Sequence, residues 1–364
     1  MKKEKNRHAF LRIQIALTGS ALALLLLFRL RSDLAEIFDV TLGRFFRRAL
    51  GLLTGWFPFS LFEIILGAFI VYALFALILC LVMLIRKIRK KPSPRWQVRC
   101  AVAVPVTLGI VLQLFAATLG PSYFRTGTAK HMALDTESVA EEDVFRALER
   151  VSRVINETAP HLEKNEAGET LGKTLAQCRG DVRRAADAFG AKHAFFQAKG
   201  SEVKFLLCSP WMTYTHLSGV YGFFTGEANV NTNYPHFIVT ATAAHESCHA
   251  RGIAPENECN FLAAVILMES DDPYLRYCGA AFVLDDLIAA CRKSDRDRTD
   301  ALLARTDRTV FLDYDAYSRF FEPYADNPAA DAANAVNDSY LKSLGQEGVV
   351  SYSRIVELLA AYYR

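Results

Sequence analysis

The chain has 364 residues, with 42 Lys and Arg against 39 Asp and Glu, and a net charge of +3. That length suits two units rather than one small domain, and so slight a balance gives no electrostatic reason to expect nucleic acid as a partner. The charge is unevenly placed: residues 1–119 hold 17 basic and 5 acidic side chains, whereas residues 120–364 hold 25 and 34. A basic, apolar first third ahead of an acidic, mixed remainder predicts a membrane anchor over 1–119 and a water-soluble domain over 120–364.

Three apolar stretches come first: Ile13 to Leu30, Leu61 to Ile85 (apolar apart from Glu63), and Val98 to Leu119 with Gln113 as its main polar interruption. A hydrocarbon core of about 30 Å takes ~20 helical residues, so all three are expected to span a bilayer as transmembrane helices. A cleaved signal peptide is the rival for the first, but no small-residue cleavage site follows Leu30 before Arg31 and Asp33. Lys2, Lys3, Lys5, Arg7 and Arg12 precede span one, and Arg86, Lys87, Arg89, Lys90, Lys91, Arg95 and Arg99 follow span two without an acid. Basic excess marks the cytoplasmic side. The expectation is therefore a multi-pass protein of a bacterial cell membrane, its N-terminus cytoplasmic and everything after about Gly120 extracytoplasmic. Between spans one and two, Leu42 to Trp56 is amphipathic and Arg-containing; it could lie along the outer interface or form a short packing loop.

Within the soluble part, Val144, Leu148, Val151 and Ile155 recur at helical spacing in 137–158, and 169–192 reads alike. Val203 to Cys208 is a short strand candidate. The glycines of Ser218 to Asn231 predict loop and extended chain. Past Pro235 the chain reads as helices broken near Gly252, Asp271-Asp272-Pro273, Ser294, Asp307, Asn327-Pro328 and Gly345 to Gly348. The fold class expected is mainly α: three transmembrane helices plus an α+β zincin-like domain, with a small β element before one decisive helix.

That helix carries His245-Glu246-Ser247-Cys248-His249, an H-E-x-x-H pattern. Residues i and i+4 share a helix face, so both imidazoles can meet one metal ion, while the intervening glutamate can act as general base on its water. A chance match arises on the order of once in a hundred such chains, and a satisfied core His pair is the bland alternative. A catalytic zinc needs a third protein ligand. Position 255 is Pro, not His, so a carboxylate is next in line: Glu256, Glu258 or Glu269. Glu258 shares a face with Phe261, Leu262 and Val265, the presumed inward stripe, and is the expected ligand. Glu269 is the reserve, about 16 Å along the helix. Glu256 reads as a first-turn acid favouring the helix dipole. The metal set expected is His245, His249 and Glu258 around Zn2+, with Glu246 as catalytic base; His2Glu ligation suits zinc best.

The chain resembles the bacterial membrane-protein family called domain of unknown function 3810, placed among gluzincin-like metallopeptidases. The likeness rests on the N-terminal spans, Thr225 to Asn231, the His-Glu-x-x-His core, Arg251-Gly252, Glu256 to Ala263, Asn337 to Lys342 and Gly348 to Val356. The third-ligand helix of other such peptidases is similar to Glu258-x-Asn260, which favours Glu258; Cys259 stands where the family more often has Ala. What the resemblance implies is a fold and metal chemistry more than a substrate.

Supporting roles are expected elsewhere. Gly226 to Asn231 could form an edge strand for an extended peptide, or a structural loop. Tyr340, with Asn337 one turn earlier, is the candidate oxyanion donor, and Tyr221 and His216 are alternatives. Tyr352 and Arg354 could support the site or bridge helices. Six cysteines in an outer domain permit disulfides, in any of 15 pairings. The function expected is a membrane-anchored zinc metallopeptidase acting on a peptide or protein substrate at the outer face of the lipid bilayer. A non-catalytic binding or assembly module on a peptidase-like fold is the alternative. Intramembrane proteolysis is disfavoured because the motif follows the last apolar stretch by about 125 residues.

Overall fold

A computed structural model describes residues 2–196, 200–346 and 354–364, with the side chains of 2–11, 98, 99, 101 and 102 set aside. Tyr352 lies outside the described residues. The chain is mainly helical. The N-terminal elements are α1 (Lys2–Leu30), α2 (Ser32–Phe38), a π turn (Asp39–Gly43), α3 (Arg44–Thr54), α4 (Leu61–Ile88) and α5 (Arg95–Ala117). Next come α6 (Thr128–His131), α7 (Glu141–Thr158), α8 (Leu175–Lys192), β1 (Val203–Phe205), α9 (Ser209–Met212), β2 (Gly219–Gly222) and β3 (Glu227–Val230). The remainder is α10 (His236–Ala250), α11 (Glu256–Met268), α12 (Pro273–Ser294), α13 (Arg296–Leu303), α14 (Thr309–Phe321), α15 (Pro328–Ser343) and α16 (Ile355–Tyr362).

Among the described residues two helices, not the expected three, are long and apolar enough to cross a membrane: Arg12–Leu30 and Leu61–Ile88. The described apolar part of α5 is Ala103–Ala117, with Pro105 inside the helix. The exposed side chains of α4 include Ile65, Val71 and Ile78, whereas α5 runs beside α1, its Gln113 donating to the Leu17 carbonyl at 2.7 Å. A helix half-covered by a neighbour has less need of an apolar exterior.

One end of α4 is fastened to β3 and to the segment that follows β1. Its N-cap Ser60 accepts from Glu63 N (3.1 Å) and donates to Asn229 Oδ1 (2.7 Å). Glu227, fully buried on β3, accepts from Leu61 N (3.1 Å) and Phe62 N (2.7 Å), placing an anion at a helix N-terminus. Glu63, the lone acid of this apolar stretch, accepts from Leu207 N and Cys208 N. Both carboxylates therefore act as staples between the long apolar helix and the sheet region.

The sheet has the order β1-β3-β2, with β1 parallel and β2 antiparallel to β3. Gly226 to Asn231 is therefore not an edge: β3 is central and paired on both sides, and β2 is the outer strand beside it. The core lies under α10, α11, α12 and α7, where Phe145, Leu148, Phe261, Leu262, Ile266 and Tyr277 are sealed from solvent. Helix starts follow local chemistry. Thr174 and Gln177 form a capping box on α8, Asp272 caps α12 ahead of Pro273, and Asn327 caps α15 ahead of Pro328. All the expected helix breaks after Pro235 up to Asn327-Pro328 coincide with these boundaries. The second helix starts later than expected, because Thr170 pairs with Lys164 in an isolated bridge and the chain turns helical only after Thr174. All eight cysteines are free thiols, so no pairing forms between the six in the soluble part.

Candidate metal centre

Helix α10 packs against β3 and β2 and is buried from Val239 to Ala250. Its two motif imidazoles sit four residues apart on one face, and their Nε2 atoms are 3.1 Å apart. Each ring is held from behind. His249 Nδ1 lies 2.9 Å from the Ile253 carbonyl, which can only accept, so Nδ1 carries the proton. His245 Nδ1 lies 2.7 Å from Asn260 Oδ1 in the same arrangement. Both Nε2 lone pairs are thereby turned toward the same small volume.

The carboxylate that meets them belongs to Glu256. Its Oε2 is 3.1 Å from His245 Nε2 and 3.6 Å from His249 Nε2. Glu258 points elsewhere, accepting from Thr128 Oγ1 (2.6 Å) and Thr128 N (3.1 Å). Glu269 is tied to Lys192 and Tyr362 at the far end of α11. The expectation of Glu258 fails for a physical reason. Helix α11 is buried on every side from Phe261 to Met268, so its apolar residues define no single inward face. The turn from Arg251 to Pro255 decides instead. Gly252 ends α10 at φ +88°, a left-handed conformation that glycine adopts freely, and the chain doubles back to set the first residue of α11 against the His pair. Asn260 lies one turn beyond Glu256, so an i, i+4 pair supplies both the carboxylate and the anchor of His245. That spacing was readable in the sequence and is the signal that could have found both.

Three electron-rich atoms at 3.1–3.6 Å repel one another unless a proton or a cation stands between them. In the protein alone the proton serves. Burial disfavours a charged His249, but the Glu256 carboxylate overrides this and holds the imidazole up at about 9. Burial likewise opposes an ionised Glu256, yet His249 and the bond to His245 hold it well below the usual carboxylate range. The same two-nitrogen, one-oxygen set fits a tetrahedral divalent ion with one position left open. Cys259 Sγ also lies within 4.8 Å of ligand nitrogens of both histidines. It approaches the back of the ring, 3.4 Å from His249 Nδ1 and 3.3 Å from the Ile253 carbonyl, and burial pushes its thiol well up, so it is a poor ligand.

Glu246 turns into a cavity of about 870 Å³ that the three ligand candidates also line. Its Oε2 is buried without a hydrogen-bond partner. Burial pushes its carboxyl up to about 7 against the pull of His249 and His245. Gly219 on β2 sits directly over it: a Cβ there would lie 2.5 Å from Glu246 Oε1 and 2.6 Å from Thr242 Cγ2.

On the cavity wall Tyr340 donates to Tyr123 at 3.2 Å. Burial raises both phenols, and the Glu256 charge adds to it in both cases. The pair holds one hydrogen between its oxygens and leaves the other hydroxyl hydrogen free. Tyr123 was not foreseen, because nothing in Gly120-Pro121-Ser122-Tyr123 marks it apart from the end of an apolar stretch. Tyr221 lines the same wall, its hydroxyl buried without a partner and raised to about 12 by burial. His216 faces the cavity too, but its Nε2 lies 2.6 Å from the Tyr324 carbonyl. Asn337 is a lining residue, whereas Arg354 caps α16 from an exposed position.

No curated protein and no solved structure matches the chain. The sequence profile described as "Protein of unknown function (DUF3810)" matches residues 40–360, which takes in α3 to α15, most of α16 and every residue of the centre described above. The chain belongs to that family.

Proposed function

We propose that this protein is a membrane-anchored, zinc-dependent metallopeptidase of the gluzincin-like H-E-x-x-H kind, acting outside the cytoplasm. The observation that carries the reading is the donor set. The Nε2 atoms of His245 and His249 face the Glu256 carboxylate across 3.1–3.6 Å, beside the partnerless carboxylate of Glu246 at a cavity large enough for a peptide.

Zinc, held by His245, His249 and Glu256, would supply a Lewis acid to the scissile carbonyl. Glu246 takes the proton from the attacking water and passes it to the leaving nitrogen, a task suited to a carboxylate raised toward neutrality. Tyr123 and Tyr340 offer a hydroxyl to the oxygen on which charge develops. Strand β2 provides the substrate's rail. Asn231 N bonds the Ser218 carbonyl, so by antiparallel alternation Gly219 and Tyr221 turn their backbone N–H and C=O away from β3 toward the cleft. The missing Cβ at Gly219 lets an extended chain lie close to Glu246.

Support for the orientation comes from which end of α4 holds the domain. Ser60 to Glu63 bond to it, while Arg86, Lys87, Arg89, Lys90 and Lys91 gather at the opposite end of the helix. Basic excess marks the cytoplasmic face, which leaves the domain outside. Phe62 and Leu119, at the domain ends of α4 and α5, line the cavity, so the cleft opens beside the bilayer and favours chains presented at its surface.

The test is metal content together with hydrolysis. Purified protein should carry one zinc per chain, and Glu246→Gln should keep the zinc and lose hydrolysis of a diverse peptide pool. A zinc-loaded wild type that leaves every peptide intact would favour a binding or assembly module instead.

A further inference from the structure

A second cavity, of about 640 Å³, lies outside the metal centre, between α3, α8 and the loop 200–203. Five guanidinium groups line it: Arg48, Arg179, Arg183, Arg184 and Arg251. Three are answered by acids, Arg251 by Asp187 (2.5 Å), Arg183 by Glu202 (2.7 Å) and Arg184 by Asp181. Arg48 and Arg179 have no carboxylate partner among the described residues. Arg179 stacks on Phe205 with its Nε buried and unbonded, and the Ser201 hydroxyl in the same cavity is likewise buried without a partner. A concave site with two uncompensated cations and spare donors is built for an anion. Forked guanidinium donors suit the tetrahedral oxygens of a phosphate better than they suit chloride.

Its position narrows the source. The rim is α3, whose Phe45, Leu52 and Leu53 are exposed along one face, followed by Trp56 at 87% exposure. Five residues after Gly55 the chain reaches Ser60, where the apolar helix α4 begins. Exposed Leu and Trp beside arginines, at the start of a membrane helix, is the arrangement of a headgroup-level surface.

We propose that this arginine-lined cavity binds a phosphate ester, supplied by the headgroup of an anionic phospholipid in the leaflet facing the domain or by a soluble phosphate. The cavity is lined by none of His245, Glu246, His249 and Glu256, so its failure would leave the hydrolase reading intact.

The experiment uses full-length protein in neutral detergent, stripped of lipid, with Tm followed against dihexanoyl phosphatidylglycerol, dihexanoyl phosphatidylcholine and inorganic phosphate, each at matched ionic strength. Wild type should be stabilised by phosphatidylglycerol or phosphate and not by sodium chloride. Arg48→Gln with Arg179→Gln should need about tenfold more ligand or greater for the same shift. Arg48→Gln alone removes an exposed side chain with no partner to lose; it should keep the ligand-free Tm and weaken binding in part. A response to phosphatidylglycerol alone assigns the lipid, and an equal response to inorganic phosphate assigns a soluble phosphate. A shift of the same size in the double variant, one matched by sodium chloride or phosphatidylcholine, or none at all in wild type, overturns the proposal.

Discussion

Replacing Glu256 by Gln tests the metal centre most sharply, because it keeps the side chain's volume and removes only its charge. The loss of a partner one shell out from a metal typically costs 10–100-fold in affinity. Glu256 Oε2 stands at 3.1 and 3.6 Å from the two Nε2 atoms, with no residue between. A direct anionic ligand should therefore cost at least 100-fold, roughly 2.8 kcal/mol at 1.4 kcal/mol per tenfold. The contrast is Glu258→Gln. Its carboxylate receives two bonds from Thr128, so that change should leave zinc affinity within about threefold and instead lower the stability by about 1–3 kcal/mol. Zinc competition against a chromogenic chelator gives the first number and thermal unfolding the second. If Glu256→Gln holds zinc as tightly as wild type while Glu258→Gln releases it, the geometry argued above is wrong and the apolar stripe of α11 was the better guide.

Glu246→Gln should leave zinc bound and reduce peptide hydrolysis by about 10²–10⁴-fold, read as initial rates on a quenched peptide; unchanged rates would remove Glu246 as the base. The acid limb of the rate profile should fall between the ordinary carboxylate range and about 7, since burial raises Glu246 and a bound dication lowers it. In zinc-free protein His249 is raised to about 9 from 6.5, so its pairing with Glu256 stabilises the fold fully below 6.5 and fades as pH rises through 9. Zinc-loaded protein should behave oppositely, gaining stability from pH 5 to 7 as imidazoles deprotonate to bind the ion; parallel Tm curves with and without chelator would contradict both. Gly219→Ala drives a methyl into Glu246 and Thr242, so kcat should drop at least tenfold with zinc content unchanged. Asp39→Asn strips the buried carboxylate that faces Arg47 and Arg125 and should cost about 3–5 kcal/mol, measured by denaturant unfolding.

Much of this centre was legible in the sequence because its signals are local. The H-E-x-x-H spacing defines a helix face without reference to any other element, and Gly252 and Pro255 bracket the turn that follows. Capping residues such as Asp272 and Asn327 likewise mark helix starts by chemistry that acts within one turn. Periodicity fails where burial is complete. In α11 every side chain from Phe261 to Met268 is inside, so the apolar stripe chosen to orient Glu258 had no polar face to be measured against. Strand order is non-local in the same sense: β1 comes long before β2, yet both pair with β3, and nothing within residues 226–231 tells a central strand from an edge. Tyr123 and Tyr340 meet across 217 positions, a contact that only the assembled cavity defines.

The turn that carries Glu256 to the His pair is also the point at which the N-terminal segments reach the centre. Arg125 donates to the Gly252 carbonyl at 3.2 Å while bonding Asp39 and Glu36, and Arg47 spans Asp39 (2.6 Å) and the Thr118 carbonyl (2.6 Å). Asp39, Arg47 and Gly252 are all sealed from solvent, and a Cβ on Gly252 would collide with the Arg47 guanidinium. Buried ion pairs gain little net stability over apolar packing, but breaking one is costly, so they hold geometry more than they add free energy. Here the geometry held is that of a five-residue turn, Arg251 to Pro255, with one histidine's hydrogen-bond acceptor, Ile253, in its middle and the carboxylate donor immediately after it. A domain cut free at Gly120 would lose Asp39, Arg47 and Glu36 together. It would leave Arg125 without its carboxylates beside that turn, which argues that the N-terminal segment is part of what shapes the centre.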